Sequence, residues 1–196
     1  MNTVLRPALV LFLLLSLICC GLYPLAVTGI GKAAFADQVT GSLILSEKAG
    51  RSPMGSRLIG QAFSSPKYFW SRPSATSPMP NNAASSSGSN LGAMNPALID
   101  AVKGRIDALK AADPQNKLAI PVDLVTASAS GLDPDISGAA AYYQIARVAQ
   151  LRHLSTDQVR DLVDMVKTDR QFGFLGEPRV NVLALNRALD KVGSAK

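Results

Sequence analysis

Apolar positions are most concentrated at the start of the chain. Between Arg6 and Lys32 run twenty-five residues without a charge, opening PALVLFLLLSLICCGLYPLAV. At about 1.5 Å per residue, residues 7–27 cover about 30 Å, the thickness of a bilayer's hydrocarbon core. Pro7 suits the first position of a helix, Pro24 lies near its far end where a kink costs least, and Tyr23 falls where an interfacial aromatic belongs. The pattern predicts a transmembrane helix over 7–30, a short N-terminus over 1–6, and one extramembrane domain over 31–196. The competing reading is a cleaved signal peptide. The apolar run is too long for one, the A-x-A at 34–36 comes late and beyond Lys32, and Ile18 precedes Cys19 where a lipoprotein signal needs a small residue. Arg6 before the span favours a cytoplasmic N-terminus and an extracytoplasmic domain.

Beyond the span the pattern changes to amphipathic segments. QVTGSLILS, with Val39, Leu43 and Leu45, alternates in part like a strand. RLIGQAF at 57–63 and LAIPVDLV at 118–125 are two more strand candidates. The helices carry clearer punctuation. Asn95 is an N-cap with Pro96 at the first helical position, followed by Leu98, Val102, Ile106 and Leu109 at helical spacing. Ser137 caps a second helix, with Ala141, Ile145 and Val148 on one face. Ser155 and Gln158 form a capping box ahead of Val159, Leu162, Val163 and Val166. Asn181 starts a fourth, with Val182, Leu185, Leu189 and Val192 as its stripe. These stripes read as core, so the fold class is α+β: one N-terminal transmembrane helix and a mixed α/β extramembrane domain.

Between the strand candidates and the first of these helices, residues 71–96 are rich in Ser, Pro, Asn and Gly, the composition of a linker. Yet KYFW at 67–70 leads into it with the chain's single tryptophan, and no charge follows Arg72 until Asp100. Solvated linkers usually carry charge, so this segment reads as a loop laid against the domain or against a partner. Tyr68, Phe69 and Trp70 exposed together would form an apolar patch of the kind that marks an interface. Arg72 offers a charge-assisted pair, and Ser74, Ser87, Ser89 and Asn90 offer hydrogen bonds to backbone groups there.

Charge and the reactive residues narrow the chemistry. The chain has 196 residues, a net charge of +6, 47% hydrophobic and 17% charged residues; the charged share is below the ~25% of ordinary soluble domains. Its Lys and Arg arrive singly, which argues against a nucleic-acid stripe. The only cysteines, Cys19 and Cys20, are adjacent within the apolar run, so no structural disulfide is expected. With His153 the sole histidine, a Cys/His zinc site cannot be assembled and no catalytic triad is signalled; it reads as a surface residue near a helix end. Gly55 and Gly60 have phosphate-loop spacing, but Gln61 and Ala62 follow where Lys and Ser/Thr are needed. The glycine- and serine-rich run 87–92 reads as a turn before an anion-binding nest. Asp133 and Asp135 read as turn residues ahead of a helix whose Arg147 and Arg152 can pair with them or with a partner. No catalytic residue and no metal site is assigned. The residues lead as far as a membrane-anchored accessory domain.

Several segments in order resemble the C subunit of the bacterial Kdp high-affinity potassium-transporting P-type ATPase, the KdpC family. They are LRPAL before the span, GSLI at 41–44, SRLIGQAF with YFWSRPSA, SSGSNLG with Asn95-Pro96, PVDLVTASASGLDP, Gln144 with RVAQLR from Arg147, and VNVLALNRALD from Val180. Asp135 departs from this pattern, since many relatives carry histidine there. The resemblance implies a non-catalytic, single-pass subunit of the bacterial inner membrane. Its implied partners are a channel-like potassium-translocating subunit, a P-type ATP-hydrolysing subunit and a small peptide subunit. It implies a role in assembly and function of the pump, with ion access at the outer face a further possibility. The alternative is a chaperone that raises the ATP affinity of the hydrolysing subunit through a ternary complex; no tightly bound cofactor is expected, and ATP only in that role. On this reading Tyr68, Phe69, Trp70, Arg72, Ser74, Ser87, Asn90, Asn95, Gln144 and Arg147 are the partner-interface candidates, facing the channel-like subunit.

Overall fold

The computed structural model describes residues 2–46, 50 and 52–193; Met1 and residues 194–196, at the outer ends of the expected segments, lie outside the described residues. The chain divides into two compact units, one ending at Leu43 and the other starting at Ile44.

In the first unit, α1 (Asn2–Ser16) runs through a π-helical stretch (Leu17–Leu22) into α2 (Tyr23–Ala34), followed by the short α3 (Ala36–Val39). Pro24 accounts for the widened turn. In α-helical geometry its ring would meet the carbonyl of Cys20, and it has no N–H to donate there. The ladder widens just before it, and the Tyr23 N–H donates to the Ile18 carbonyl, five residues back. The helix begins at Asn2, so Pro7 sits inside it and not at its first position. From Thr3 to Ala34 it has 32 residues and is long and apolar enough to cross a membrane. Its length of about 48 Å exceeds the ~30 Å hydrocarbon core. Leu11, Phe12 and Leu13 expose more than half of their surface, as lipid-facing side chains do.

The second unit is a mixed α/β domain. The boundary falls inside β1 (Leu43–Leu45), which pairs with β2 (Pro53–Ser56) in a small sheet. A long stretch without regular structure then leads to α4 (Pro96–Ala112) and a 3-10 turn (Val122–Leu124). There follow β3 (Asp135–Ser137), α5 (Gly138–Arg152), α6 (Thr156–Val166), β4 (Lys167–Thr168), β5 (Arg179–Asn181) and α7 (Val182–Gly193). Strands β3, β5 and β4 form an antiparallel sheet in that order, with Ile136 opposite Val180 and Lys167 also opposite Val180.

Each helix starts where its cap stands. Asn95 accepts from the Ala97 N–H, Ser137 from Ala140, and Asn181 from Ala184, each at 3.0 Å. Ser155 and Gln158 close a reciprocal capping box. Helix α5 is the central element, with eight of its fifteen residues buried. Its Val148 is fully buried, as are Val159, Val163, Val180, Leu185 and Leu189 around it, and Ala140, Ala141 and Ala149 leave room for close approach by neighbouring elements.

Two expected strands are not strands. At 58–63 the chain is held by one ladder-like bond, Gly60 N–H to Leu132 O at 2.8 Å. A Cβ on Gly60 would stand 2.5 Å from the Asp133 carbonyl, so only glycine permits this approach. At 118–125, Pro121 removes a donor and the chain turns into the 3-10 segment, whose Asp123 carboxylate accepts from the Ser137 N–H at 2.8 Å.

His153 ends α5 in the left-handed region at φ 55°, with its N–H bonded to Gln150 O and the Leu154 N–H to Ala149 O. That is a Schellman ending with histidine where glycine is usual. His153→Gly is expected to raise stability by about 0.5–1 kcal/mol, read as an increase in the melting temperature of the purified chain. A fall would mean that the imidazole itself stabilises the fold.

Candidate functional site

Helices α5 and α7 each aim one amide side chain at the same short piece of chain. Asn186 of α7 accepts from the Phe69 N–H at 2.9 Å and donates back to the Phe69 carbonyl at 3.0 Å. Gln144 of α5 does the same for Trp70, accepting at 2.8 Å and donating at 3.2 Å. Two side-chain amides therefore supply the bonds a neighbouring β-strand would supply, and buried backbone groups are satisfied without a sheet. Asn186 and Gln144 are themselves buried, and Phe69 is 0% exposed between them.

Arg147, one turn beyond Gln144, completes the clasp. Its guanidinium donates to Gln144 Oε1 at 2.7 Å, to the Tyr68 carbonyl at 3.1 Å and to the Pro66 carbonyl. It also lies over the Trp70 ring, 4.5 Å from the centroid. Burial lowers its pKa to about 10, which leaves it charged at neutral pH. Arg152 repeats the device nearer the helix end. It donates to the Lys67 carbonyl at 2.9 Å, covers the Tyr68 ring and pairs with Asp190 at 2.8 Å. The Trp70 indole N–H donates to the Ser65 carbonyl at 3.1 Å.

Beyond Arg72 the chain continues across the domain as an ordered strap. Ser74 Oγ donates to the Gly131 carbonyl at 2.7 Å and accepts from the Asn81 N–H at 2.9 Å. Ser87 N–H bonds to Ser130 O, and Ser128 N–H to Pro73 O, both at 3.0 Å. Gly131 sits at this crossing with φ +68°, and a Cβ there would meet the Thr76 methyl at 2.5 Å and the Ser87 carbonyl at 2.6 Å. Residues 73–88 thus lie along the 128–132 turn despite their linker-like composition.

Arg72 separates two grooves. One, of about 320 Å³, is lined by Phe63, Trp70, Arg72, Pro80, Arg105 and Leu109. Arg105 there donates to the Val125 carbonyl at 2.8 Å, and burial lowers its pKa. The other, of about 550 Å³, holds Arg72, Asp123, Asp133, Asp135, Glu177 and Arg179. Two ion pairs lie in it: Arg72 with Asp133 at 3.0 Å, and Arg179 with Asp135 at 3.0 Å. Burial raises the Asp135 pKa, an effect opposed by the Asn181 hydrogen bond and by Arg179. The Arg72 Nε is buried with no hydrogen-bond partner among the described residues.

The residues singled out from the sequence are placed unequally. Phe69, Gln144 and Arg147 are turned inward, and their side chains meet this chain's own strap. Tyr68 and Trp70 are half-buried under the two arginines, so the expected exposed aromatic patch does not form. Arg147 and Arg152 pair with neither Asp133 nor Asp135, whose partners are Arg72 and Arg179. Arg72 and Ser74 are partly buried, while Ser87, Asn90 and Asn95 are exposed, with Asn90 at φ 50° and Asn95 capping α4. Asn186 is a site residue that the sequence analysis does not single out. A polar residue inside the apolar stripe of α7 was the available signal for Asn186.

The chain matches the family model described as "KdpC: K+-transporting ATPase, c chain" over residues 5–191. Among relatives named "Potassium-transporting ATPase KdpC subunit", that of Herminiimonas arsenicoxydans is 65% identical over 97% of this chain and 99% of its own length. That of Variovorax paradoxus (strain S110) is 62% identical over 100% of both chains. That of Dechloromonas aromatica (strain RCB) is 64% identical over 98% of this chain and 99% of its own.

Proposed function

This chain belongs to the KdpC family, and is therefore an accessory subunit of a potassium-transporting ATPase; we propose that its domain lies outside the cytoplasm and acts by contact, holding the potassium-translocating subunit in a working assembly with the ATP-hydrolysing and small peptide subunits. The observation that carries this reading is the apolar helix Thr3–Ala34 with Arg6 in its first turns. A cation at that end favours a cytoplasmic N-terminus in the inner membrane, which puts everything after the span on the other side. A domain there is out of reach of cytoplasmic ATP. Its remaining route to influence pumping is through protein surfaces, stabilising the complex and shaping ion access at the outer face. Support also comes from the clasp, which turns a linker-like segment into a fixed surface carrying Arg72, Ser87 and Asn90.

The test is accessibility. Ser64 is exposed. With Cys19 and Cys20 replaced by serine, Ser64→Cys is expected to react with a membrane-impermeant maleimide in intact cells from which any outer barrier has been removed. Reaction only after lysis would reverse the orientation and favour the ATP-affinity role instead.

A further inference from the structure

Residues 169–177, DRQFGFLGE, join β4 to β5 as an ordered hairpin that the clasp does not use. Gln171 and Leu175 exchange both backbone hydrogen bonds at 2.9 Å, and the Phe174 N–H reaches back to Gln171 O at 3.3 Å. Phe172 and Gly173 occupy the two central positions with φ of 54° and 81°, the pattern of the tight turn that suits twisted strands. Asparagine, aspartate or glycine normally fills the first of these positions, and a bulky residue there is a backbone outlier. Phe172 is nonetheless present, and its side chain is 78% exposed; Phe174 beside it is 71% exposed and Leu175 48%. A strained and solvent-exposed phenylalanine contributes little to the domain's own stability.

We infer that this hairpin is a docking finger, whose Phe172, Phe174 and Leu175 enter an uncharged apolar groove on another protein subunit of the same pump. The inference rests on the reading that the domain works by contact with its partner subunits. Charge selects the occupant. Arg170 is held by Glu177 at 2.7 Å, Lys167 by Asp169 at 3.6 Å and Arg179 by Asp135 at 3.0 Å. These three cations of the hairpin and its flanking strands are each matched by a carboxylate of this chain, which argues against a segment dedicated to anionic lipid headgroups of the kind basic interfacial segments engage. The three side chains offer roughly 400 Å² together, about half of the ~800 Å² per partner that a self-standing interface needs. A finger of this size suffices as one anchor when both partners are held in one membrane and their encounter is two-dimensional.

The experiment uses the assembled pump. A photo-crosslinking residue replacing Phe174 is expected to join this chain to another subunit; adducts to lipid alone, or to a second copy of the chain, overturn the inference. The triple variant Phe172→Asn, Phe174→Ser, Leu175→Ser is expected to melt within a few degrees of the parent as a purified full-length chain, and to dissociate from the detergent-solubilised complex at least tenfold faster. Parental retention of the triple variant overturns the inference. Should the triple variant misfold, Phe174→Ser alone, which leaves the turn residues intact, carries the same two outcomes. Labelling at Ser64→Cys reads orientation independently, so a finger that touches no subunit on a correctly oriented domain defeats this inference and leaves the proposed function standing.

Discussion

Arg147→Ala is expected to destabilise the domain by about 3 kcal/mol, lowering the melting temperature of the purified full-length chain by about 6–12 °C. One guanidinium serves the Pro66 and Tyr68 carbonyls and Gln144 Oε1, and stacks on Trp70. Its loss takes the donor from two part-buried backbone carbonyls and from the buried Gln144 Oε1, where a lost partner is costly. Charge-assisted bonds of this kind contribute more than neutral ones, and a planar fork serves several acceptors at once. Arg147→Lys therefore keeps the charge but recovers only part of the loss. Trp70 is the only tryptophan, so its emission reports the clasp directly and is expected to shift to the red as the indole loses its cover. An Arg147→Ala chain that melts within 1 °C of the parent, with unchanged Trp70 emission, would show that the amide pairings alone hold the strap.

Legibility in the sequence followed the range of the interactions. Helix starts are decided by side chains two or three residues from the backbone they cap, so Asn95, Ser137, Ser155 and Asn181 could be read directly and stand where expected. Strands β3, β4 and β5 have two or three residues each, too few for alternation to register against noise. Strand β3 depends on pairing across more than forty residues, as between Asp135 and Asn181, and β4 meets β5 only through the intervening hairpin. The apolar stretches taken for strands fail for local reasons, glycine packed against a carbonyl at 60 and proline at 121.

The candidate site divides along the same line. The sequence pattern singles out Gln144, Arg147 and the aromatics at 68–70, but which way they face is decided by Asn186 and by arginines some eighty residues away, and their contacts in the structure are with this chain. An amide that imitates a strand shows in the sequence only as a polar residue within an apolar stripe, as Asn186 does in α7. Nothing in the spacing of Phe172 and Phe174 says which way they face; the structure turns both outward.

Phe69→Ala is expected to have the largest effect of any single change in the strap, about 3–5 kcal/mol, with a fall in melting temperature of about 10 °C or more. Phe69 is fully buried in the cluster that includes Val148, Val163, Leu185 and Leu189. Truncation removes its transfer free energy and leaves a cavity, while Asn186 holds the backbone in place on both sides of the N–H and carbonyl. That pairing hinders collapse into the space, which puts the cost toward the upper part of the range. Phe69→Leu retains most of the volume and is expected to recover all but about 1–1.5 kcal/mol. The measurement belongs on the isolated full-length chain, with no partner present, because that separates a core role from an interface role. A residue needed only for a partner would leave the isolated chain's melting unchanged and weaken assembly alone. If Phe69→Ala melts like the parent, the ring does not hold the strap in solution. If it melts early while Phe172→Asn does not, the strap is part of the domain's own core and the outward-facing aromatics lie in the hairpin.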